Sequence, residues 1–171
     1  MKNNHNIVYL GLGSNLRLPS YRNAMNVIES FKKKIYKSGL RITNSSNYWL
    51  TYPIPFSNIP KFINCVVKCT IVSKKANTPT ILLEYLKSLE IEIGRKKKKN
   101  NISRLIDIDI LDFKGKVINE GLILPHPRMH CRKFVLNPMK NIEPNWRHPI
   151  YEKKIDYFIT KIKSQKILIK K

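Results

Sequence analysis

Apolar residues recur along this chain at two different spacings, and the spacing predicts the order of its secondary structure. Four segments have the continuous or alternating apolar pattern of strands, namely residues 5–13, 40–50, 62–73 and 104–113. Two segments carry apolar residues every three or four positions, as helices do, and these are residues 20–38 and 79–93. The predicted order is therefore β-α-β-β-α-β.

This order is typical of a ferredoxin-like core, an α+β fold in which two helices pack on one face of an antiparallel sheet. Thr78 and Pro79 are a good N-cap and first-turn pair for the second helix, which Gly94 ends. We expect additions after the core: a C-terminal hairpin with a short strand at 117–119, a helix near 133–141, a last helix at 151–163, and a frayed KILIKK segment.

A chain of 171 residues with 42% apolar residues has the size of one domain with its own core. We expect residues 1–171 to form that single domain, with no second catalytic domain fused to it. No segment reads as a membrane span, and no cleavage site follows the N-terminal apolar run, so we expect a cytoplasmic protein with no membrane partner. Three cysteines do not suggest a disulfide framework.

The formal net charge of +22 has two interpretations. Strongly basic proteins bind nucleic acid, membrane surfaces or phosphate compounds. However, the chain has 25 Lys against 8 Arg and is rich in Ile and Asn, as an A+T-rich coding bias would produce. We favour this compositional origin for most of the charge, so individual arginines are more informative than the total.

Three of the 11 acidic residues lie close together in the segment RLIDIDILDF, residues 104–113. Because side chains alternate along a strand, Asp107 and Asp109 share one face about 6–7 Å apart, and Asp112 is expected on the opposite face. Two carboxylates this close repel each other unless a cation neutralises them. A magnesium site is one interpretation, since Mg²⁺ favours one or two carboxylates with water and phosphate oxygens. Salt bridges to lysines at an exposed edge are the other.

Two arginines favour the metal interpretation. Arg95 follows the glycine that ends the second helix, and Arg104 begins the strand that carries the aspartates. Guanidinium groups make bidentate contacts with phosphate oxygens, and phosphoryl transfer depends on such positioning and charge neutralisation. The chain has no Walker A motif, which excludes a P-loop enzyme.

Four segments, in order and at suitable spacing, resemble the 6-hydroxymethyl-7,8-dihydropterin pyrophosphokinase family of folate biosynthesis. They are GLGSN, TYPIPFSNIPKFINCVV, EIGRKKKKNNISRLIDIDIL and LPHPRMHCRKFVLNPM. The resemblance covers residues 7–150 and implies a ferredoxin-like fold. It also implies a transferase that moves the β,γ-diphosphate of ATP to the hydroxymethyl group of the pterin and leaves AMP.

The resemblance implies roles for individual residues. Asp107 and Asp109 match the family's metal carboxylates, which hold two Mg²⁺ ions, and Arg95 and Arg104 match its catalytic arginines. The positions expected to bind ATP are Glu90, Lys97, Ile110, His126 and Arg132. The positions expected to bind the pterin are Thr51, Pro53, Ile54, Phe62, Asn64 and Phe134.

The pterin residues suit a flat heteroaromatic ring. Phe62 and Asn64 are two apart on a strand and therefore point the same way. Phe62 and Phe134 would stack on the two faces of the ring, while the Asn64 amide offers a donor and an acceptor in its plane. In the family the GLGSN segment adjoins the pterin pocket and supports its shape, and we count none of Gly11, Gly13 and Asn15 among the pterin contacts.

Two other interpretations stay open. A basic ferredoxin-like domain is able to bind RNA on its sheet, although the chain lacks the RNP1 pattern and RNA binding gives no reason for the paired aspartates. A retained fold with lost catalysis is the second, because residues 96–103 carry lysines and asparagines where the family often has further arginines. We expect a monomer that binds ATP and the pterin and does not bind nucleic acid.

Overall fold

The computed structural model describes residues 6–15, 21–55, 60–94, 105–163, 165 and 167–170, with residues 21 and 167–170 described by their backbone alone. In this part of the chain the strands are β1 (Ile7–Ser14), β2 (Leu40–Ser45), β3 (Trp49–Thr51), β4 (Phe62–Ile71), β5 (Asp107–Phe113) and β6 (Ile167–Lys170). The α-helices are α1 (Tyr21–Lys34), α2 (Pro79–Glu92), α3 (Lys133–Ile142) and α4 (Ile155–Lys161). None of these helices is both long enough and apolar enough to cross a bilayer.

The strands form one antiparallel sheet in the order β5-β1-β4-β3-β6, with β2 also paired to β4. The ferredoxin-like prediction is therefore confirmed. The strand predicted over 40–50 is divided into β2 and β3, which follow one another along the same edge of β4. Ser46 bridges the break, because its N–H donates to Val66 O and its Oγ accepts from Val66 N–H, both at 2.9 Å.

Each face of the sheet carries its own pair of helices and its own apolar core. The face toward α1 and α2 buries side chains such as Leu10, Cys65 and Ile108 against Phe31 and Leu86. The opposite face is covered by α3 and α4 over part of its area, and its core contains Tyr9, Val66, Leu111, Leu136 and Phe158. The remainder of this second face is the floor of the site described below.

The expected cap of α2 is present in the structure, and a glycine follows the turn that ends α1. Thr78 Oγ1 accepts a hydrogen bond from Ile81 N–H at 3.4 Å and so caps α2. Gly39 has a φ of +80° after the turn that ends α1, and a Cβ at this position would lie 2.9 Å from Ser73 Cβ. Ile81 itself lies in the first turn of α2, and its side chain is exposed.

Three expectations for the C-terminal part are wrong in detail. The predicted short strand at 117–119 is a single bridge between Ile118 and Leu124 rather than a strand. The tail expected to fray forms β6, which pairs with β3, because the outer edge of β3 offers backbone groups with which another strand can pair. The last helix is also shorter than predicted and occupies Ile155–Lys161.

Asp112 lies on the same side of the sheet as Asp109, so its predicted placement on the opposite face is wrong. The cause is an irregularity in the pairing of β1 with β5, where Tyr9 faces Asp112 but Leu10 faces Ile110. Leu111 is the extra residue, and it reverses the alternation beyond it. The buried Asp112 accepts hydrogen bonds from Trp146 Nε1 and Gly115 N–H, both at 2.8 Å, and therefore has a structural role.

Candidate active site

A cavity of about 480 Å³ opens on the part of the sheet that α3 leaves uncovered. Residues of β1, β3, β4 and β5 form its floor and sides, and the loop after β3 and the first turn of α3 complete its rim. The cavity thus lies across the middle of the sheet, where side chains from four strands meet.

Two glycines of β1 create the space for this cavity. Gly11 and Gly13 both line it, and they lie on the face of β1 opposite the buried Leu10 and Leu12. A Cβ at Gly11 would lie 3.3 Å from Leu111 Cδ2, and a Cβ at Gly13 would lie 3.1 Å from Asn64 Oδ1. Side chains here would fill the floor, so glycine inside a strand marks a place where a ligand approaches the backbone.

The residues expected on the pterin side all line the same cavity. They are Thr51, Pro53, Ile54, Phe62, Asn64 and Phe134. Asn64 Nδ2 donates to Thr51 Oγ1 at 2.8 Å, which orients the amide, and both side chains are largely buried. Two phenylalanines and an oriented amide are the elements that a flat heteroaromatic ring requires.

Asp107 and Asp109 line the acidic side of the cavity, next to the glycines. In the pairing of β1 with β5, Gly13 faces Asp107 and Gly11 faces Asp109. The predicted shared face is therefore confirmed, and Ile106, Ile108 and Ile110 lie in the core on the other side. The Oγ of Ser14 donates to Leu105 O at 2.7 Å and ties the end of β1 to the segment that enters β5.

Asp109 lies between two basic side chains. Its Oδ2 is 3.6 Å from His126 Nε2 and 3.8 Å from Arg132 Nη1. The Arg132 guanidinium also lies over the ring of Phe134, 5.4 Å from its centroid. This arrangement brings the predicted metal carboxylate together with two of the residues expected to bind ATP.

The orientation of His126 follows from its backbone neighbours. His126 N–H donates to Leu111 O at 2.8 Å, and His126 Nδ1 accepts from Arg128 N–H at 3.1 Å. Burial lowers the pKa of His126 below its ordinary value, although the Asp109 carboxylate acts in the opposite direction. A neutral ring whose Nδ1 accepts a hydrogen bond carries its proton on Nε2, which points toward Asp109.

A second, smaller cavity adjoins the first at Asp109. It has a volume of about 270 Å³, and Ile110 and His126 line it together with apolar residues of the 121–123 segment. Two of the residues expected on the ATP side therefore border this second cavity. Asp109 lines both cavities and lies between the residues expected to bind ATP and those expected to bind the pterin.

A model of the 7,8-dihydro-6-hydroxymethylpterin-pyrophosphokinase (HPPK) family matches residues 9–144. The chain belongs to this family. The 2-amino-4-hydroxy-6-hydroxymethyldihydropteridine pyrophosphokinase of Aquifex aeolicus is 38% identical over 154 residues, which are 88% of this chain and 89% of the relative. The folic acid synthesis protein of Dictyostelium discoideum is 35% identical over 85% of this chain but only 21% of its own length.

Solved structures of HPPK-DHPS proteins have the same fold. One, in complex with substrates, has a TM-score of 0.70 at 17% identity and matches 92% of this chain and 43% of its own. The wild-type Plasmodium falciparum HPPK-DHPS has a TM-score of 0.64 at 16% identity and matches 91% of this chain and 44% of its own. The present chain thus spans less than half the length of these larger proteins.

The donor groups of the HPPK site suit a hard cation. Within the residues that the structure describes, no group of three or more acidic, His or Cys side chains is arranged to hold a metal ion. Two carboxylates on one strand face, bordering an open cavity, fit Mg²⁺, which takes its other ligands from water and phosphate oxygens. Asp107 and Asp109 are the residues that would hold it.

Several predicted residues lie away from the cavity wall or outside the described part of the chain. Glu90 is 3% exposed and lies beside β5, where its Oε1 accepts from Ile108 N–H at 2.9 Å. Arg95, Lys97 and Arg104 lie outside the described residues. Their predicted roles, and the ATP contact of Glu90, stay predictions.

Tyr52, Arg128 and Val135 are among the residues that line the HPPK cavity and that sequence reasoning missed. Tyr52 and Arg128 each lie within a segment that carries the family resemblance, next to residues that were singled out. An arginine in the segment PHPRMH, two residues beyond the predicted ATP residue His126, was the available signal. Val135 resembles any core residue of an amphipathic helix, and nothing in its spacing marks it.

Proposed function

We propose that this chain transfers the β,γ-diphosphate of ATP to the hydroxymethyl group of 6-hydroxymethyl-7,8-dihydropterin, as a step of folate biosynthesis. In this reaction the pterin hydroxyl oxygen forms a bond to the β-phosphorus, and the bond between that phosphorus and the α,β-bridging oxygen breaks. The hydroxyl proton is released, and AMP leaves with the bridging oxygen. The observation that carries the proposal is the position of Asp109, which joins a cavity suited to a pterin with a cavity bordered by nucleotide residues.

The pterin-binding half of the proposal is supported by the cavity wall. Phe62 and Phe134 supply aromatic faces, and Asn64, oriented by Thr51, supplies polar atoms at the edge of the ring. Because Gly11 has no side chain, the pterin ring can lie against the backbone of β1 at the floor of the cavity. These residues hold the pterin and exclude water from one side of its hydroxymethyl group.

The phosphate-binding half is supported by the groups around Asp109. The family is expected to use Mg²⁺, which would be held by Asp107 and Asp109 and would neutralise charge on the triphosphate. Arg132 directs a guanidinium toward the same point, and His126 Nε2–H is available to donate to a phosphate oxygen. In phosphoryl transfer, positioning and charge neutralisation supply most of the rate enhancement.

The direct test is a turnover assay with ATP, Mg²⁺ and 6-hydroxymethyl-7,8-dihydropterin, in which AMP and the pterin diphosphate are measured together. We expect both products in equal amounts, and none without the pterin. Asp109→Asn should reduce kcat at least about 100-fold while the thermal unfolding temperature stays close to that of the wild type. Asp156→Asn is the matched control, because Asp156 is an exposed aspartate of α4 whose side chain interacts with Lys140.

Three outcomes would contradict the proposal. A folded wild-type protein that makes no AMP would favour a retained fold without catalysis. RNA binding that weakens steeply with salt and occurs without turnover would favour the nucleic-acid interpretation. An Asp109→Asn variant with near-normal rate at saturating Mg²⁺ would refute the assignment of the metal carboxylates. The expected monomer is checked separately by sedimentation.

A further inference from the structure

The first N–H of α3 is bound by a side chain from the C-terminal tail. Arg132 occupies the N-cap position of α3, and its side chain makes no capping hydrogen bond. Instead, Gln165 Oε1 accepts from Lys133 N–H at 2.7 Å. A helix begins with N–H groups that lack a partner within the helix, so Gln165 performs the task that a capping residue usually performs.

The same Gln165 amide makes a second hydrogen bond on the other side of Arg132. Gln165 Nε2 donates to Cys131 O at 2.6 Å. One planar amide therefore binds the carbonyl before Arg132 and the N–H after it, as a neighbouring strand would do. The two bonds restrict the backbone of Arg132 from both sides.

Arg132 is the residue whose direction matters most on this rim of the cavity. Its Nη1 lies 3.8 Å from Asp109 Oδ2, and its guanidinium lies over Phe134. A long side chain holds such a position only if its backbone is held, because a small rotation at the backbone moves the guanidinium by several times as much. Gln165 thus acts on the phosphate side of the site without contacting it.

The tail reaches the opposite rim of the cavity within the next few residues. Ile167 pairs with Thr51, and Ile169 pairs with Leu50, so that β6 becomes the outer neighbour of β3. Thr51 is the residue that orients Asn64 on the pterin side. Gln165 and β6 therefore contact the backbone of both walls, Gln165 by its side-chain amide and β6 by strand pairing.

We infer that Gln165 and β6 form a clamp that sets the positions of Arg132 and Thr51, with Gln165 as the positioning residue for Arg132. The inference rests on the proposed function, because it assigns Arg132 to the phosphates and Thr51 to the pterin. It goes beyond that function in giving the tail a role in catalysis, and it predicts that the two ends of the clamp affect two different substrates.

The test uses full-length variants of the two ends of the clamp. Gln165→Ala removes both hydrogen bonds and should raise the KM for ATP about three- to tenfold, with a smaller effect on the KM for the pterin. Gln165→Glu keeps the acceptor for Lys133 N–H and loses the donor, so its KM for ATP should lie between those of Gln165→Ala and the wild type. Lys163→Ala, an exposed change in the same tail, should match the wild type.

The other end is tested by the double change Leu168→Pro and Ile169→Pro. The pairing of β6 with β3 is irregular between Ile167 and Ile169, so two successive prolines are used, because each lacks the N–H that a paired strand needs. This variant should raise the KM for the pterin about three- to tenfold and leave the KM for ATP nearly unchanged. A tail that only stabilises the fold would instead lower the unfolding temperature of these variants without separating the two KM values.

A measurement that does not need turnover separates the clamp from the proposed function. Amide hydrogen exchange of the Lys133 N–H should become at least about tenfold faster in Gln165→Ala than in the wild type or in Lys163→Ala. Unchanged exchange at Lys133 would overturn the clamp even in an active enzyme. If exchange at Lys133 were faster in Gln165→Ala but the wild type made no AMP, the capping role of Gln165 would stand and the proposed function would be overturned.

Discussion

Glu90 provides the sharpest test of how this fold supports its candidate site. The side chain is 3% exposed, and its Oε1 accepts a hydrogen bond from Ile108 N–H at 2.9 Å. Ile108 stands between Asp107 and Asp109 on β5. The family resemblance implies a contact between Glu90 and ATP. The geometry instead shows Glu90 bound to the backbone of β5, the strand that carries both aspartates.

The two roles predict different results for two substitutions. Glu90→Ala leaves Ile108 N–H buried without its acceptor, which costs about 1–3 kcal/mol of the free energy of unfolding. For a domain of this size that corresponds to a fall in Tm of about 2–12 °C. Because the loosened backbone lies between the two carboxylates proposed to hold Mg²⁺, kcat should fall at least about tenfold. Glu90→Gln keeps an oxygen that can accept from Ile108 N–H, so its Tm should stay within about 2 °C and its kcat within about threefold.

Thermal unfolding and steady-state kinetics on the same preparations decide between the roles. Glu84→Ala is the matched control, since Glu84 is an exposed glutamate of the same helix, and it should leave both measurements unchanged. If Glu90→Gln lost as much stability as Glu90→Ala, the accepting oxygen would not be what matters. If Glu90→Gln kept its Tm but raised the KM for ATP tenfold, the charge would act on the nucleotide and the positioning argument would be refuted.

Two further changes test the pterin wall and the pH dependence of stability. Gly13→Ala would place a Cβ 3.1 Å from Asn64 Oδ1, so the amide must move by a few tenths of an ångström. We expect the KM for the pterin to rise about five- to tenfold in steady-state assays while kcat changes little. Burial lowers the pKa of His148 from its ordinary 6.5 to about 4, and the nearby His130 contributes to the shift. At pH values between 4 and 6.5 the unfolded chain therefore binds a proton at His148 that the folded protein does not bind. Folding stability should therefore fall as pH decreases from about 6.5 to 4, and His148→Asn should remove about 2–3 kcal/mol of that loss in urea unfolding at several pH values.

Each of these two predictions has a result that would contradict it. A lower Tm for Gly13→Ala with an unchanged KM for the pterin would show that the glycine serves packing and not the ligand. Asparagine is chosen at position 148 because its Oδ1 is able to accept from Ile150 N–H in place of the ring Nδ1, which accepts that bond at 3.2 Å. A His148→Asn protein whose stability fell with pH as steeply as that of the wild type would exclude His148 as the titrating group.

Local patterns in the sequence were sufficient for the order of the core elements and for much of the site. Strand and helix periods differ, so the β-α-β-β-α-β order follows from apolar spacing alone, and the cap of α2 follows from Thr78 and Pro79. Alternation along β5 was enough to place Asp107 and Asp109 on one face. The resemblance named the pterin residues that the cavity brings together, and their binding roles stay predictions.

Contacts between distant parts of the chain decided the rest, because they depend on which backbone groups meet in space. The extra residue at Leu111 exists only in the pairing of β5 with β1, and it moves Asp112 to the face where Trp146 binds it. The sequence of the tail predicts a frayed end, but in the fold β6 pairs with the open edge of β3. A glutamine 32 positions after Lys133 has no local signature as a helix cap, so its role was decided by the tertiary structure and not by spacing along the chain.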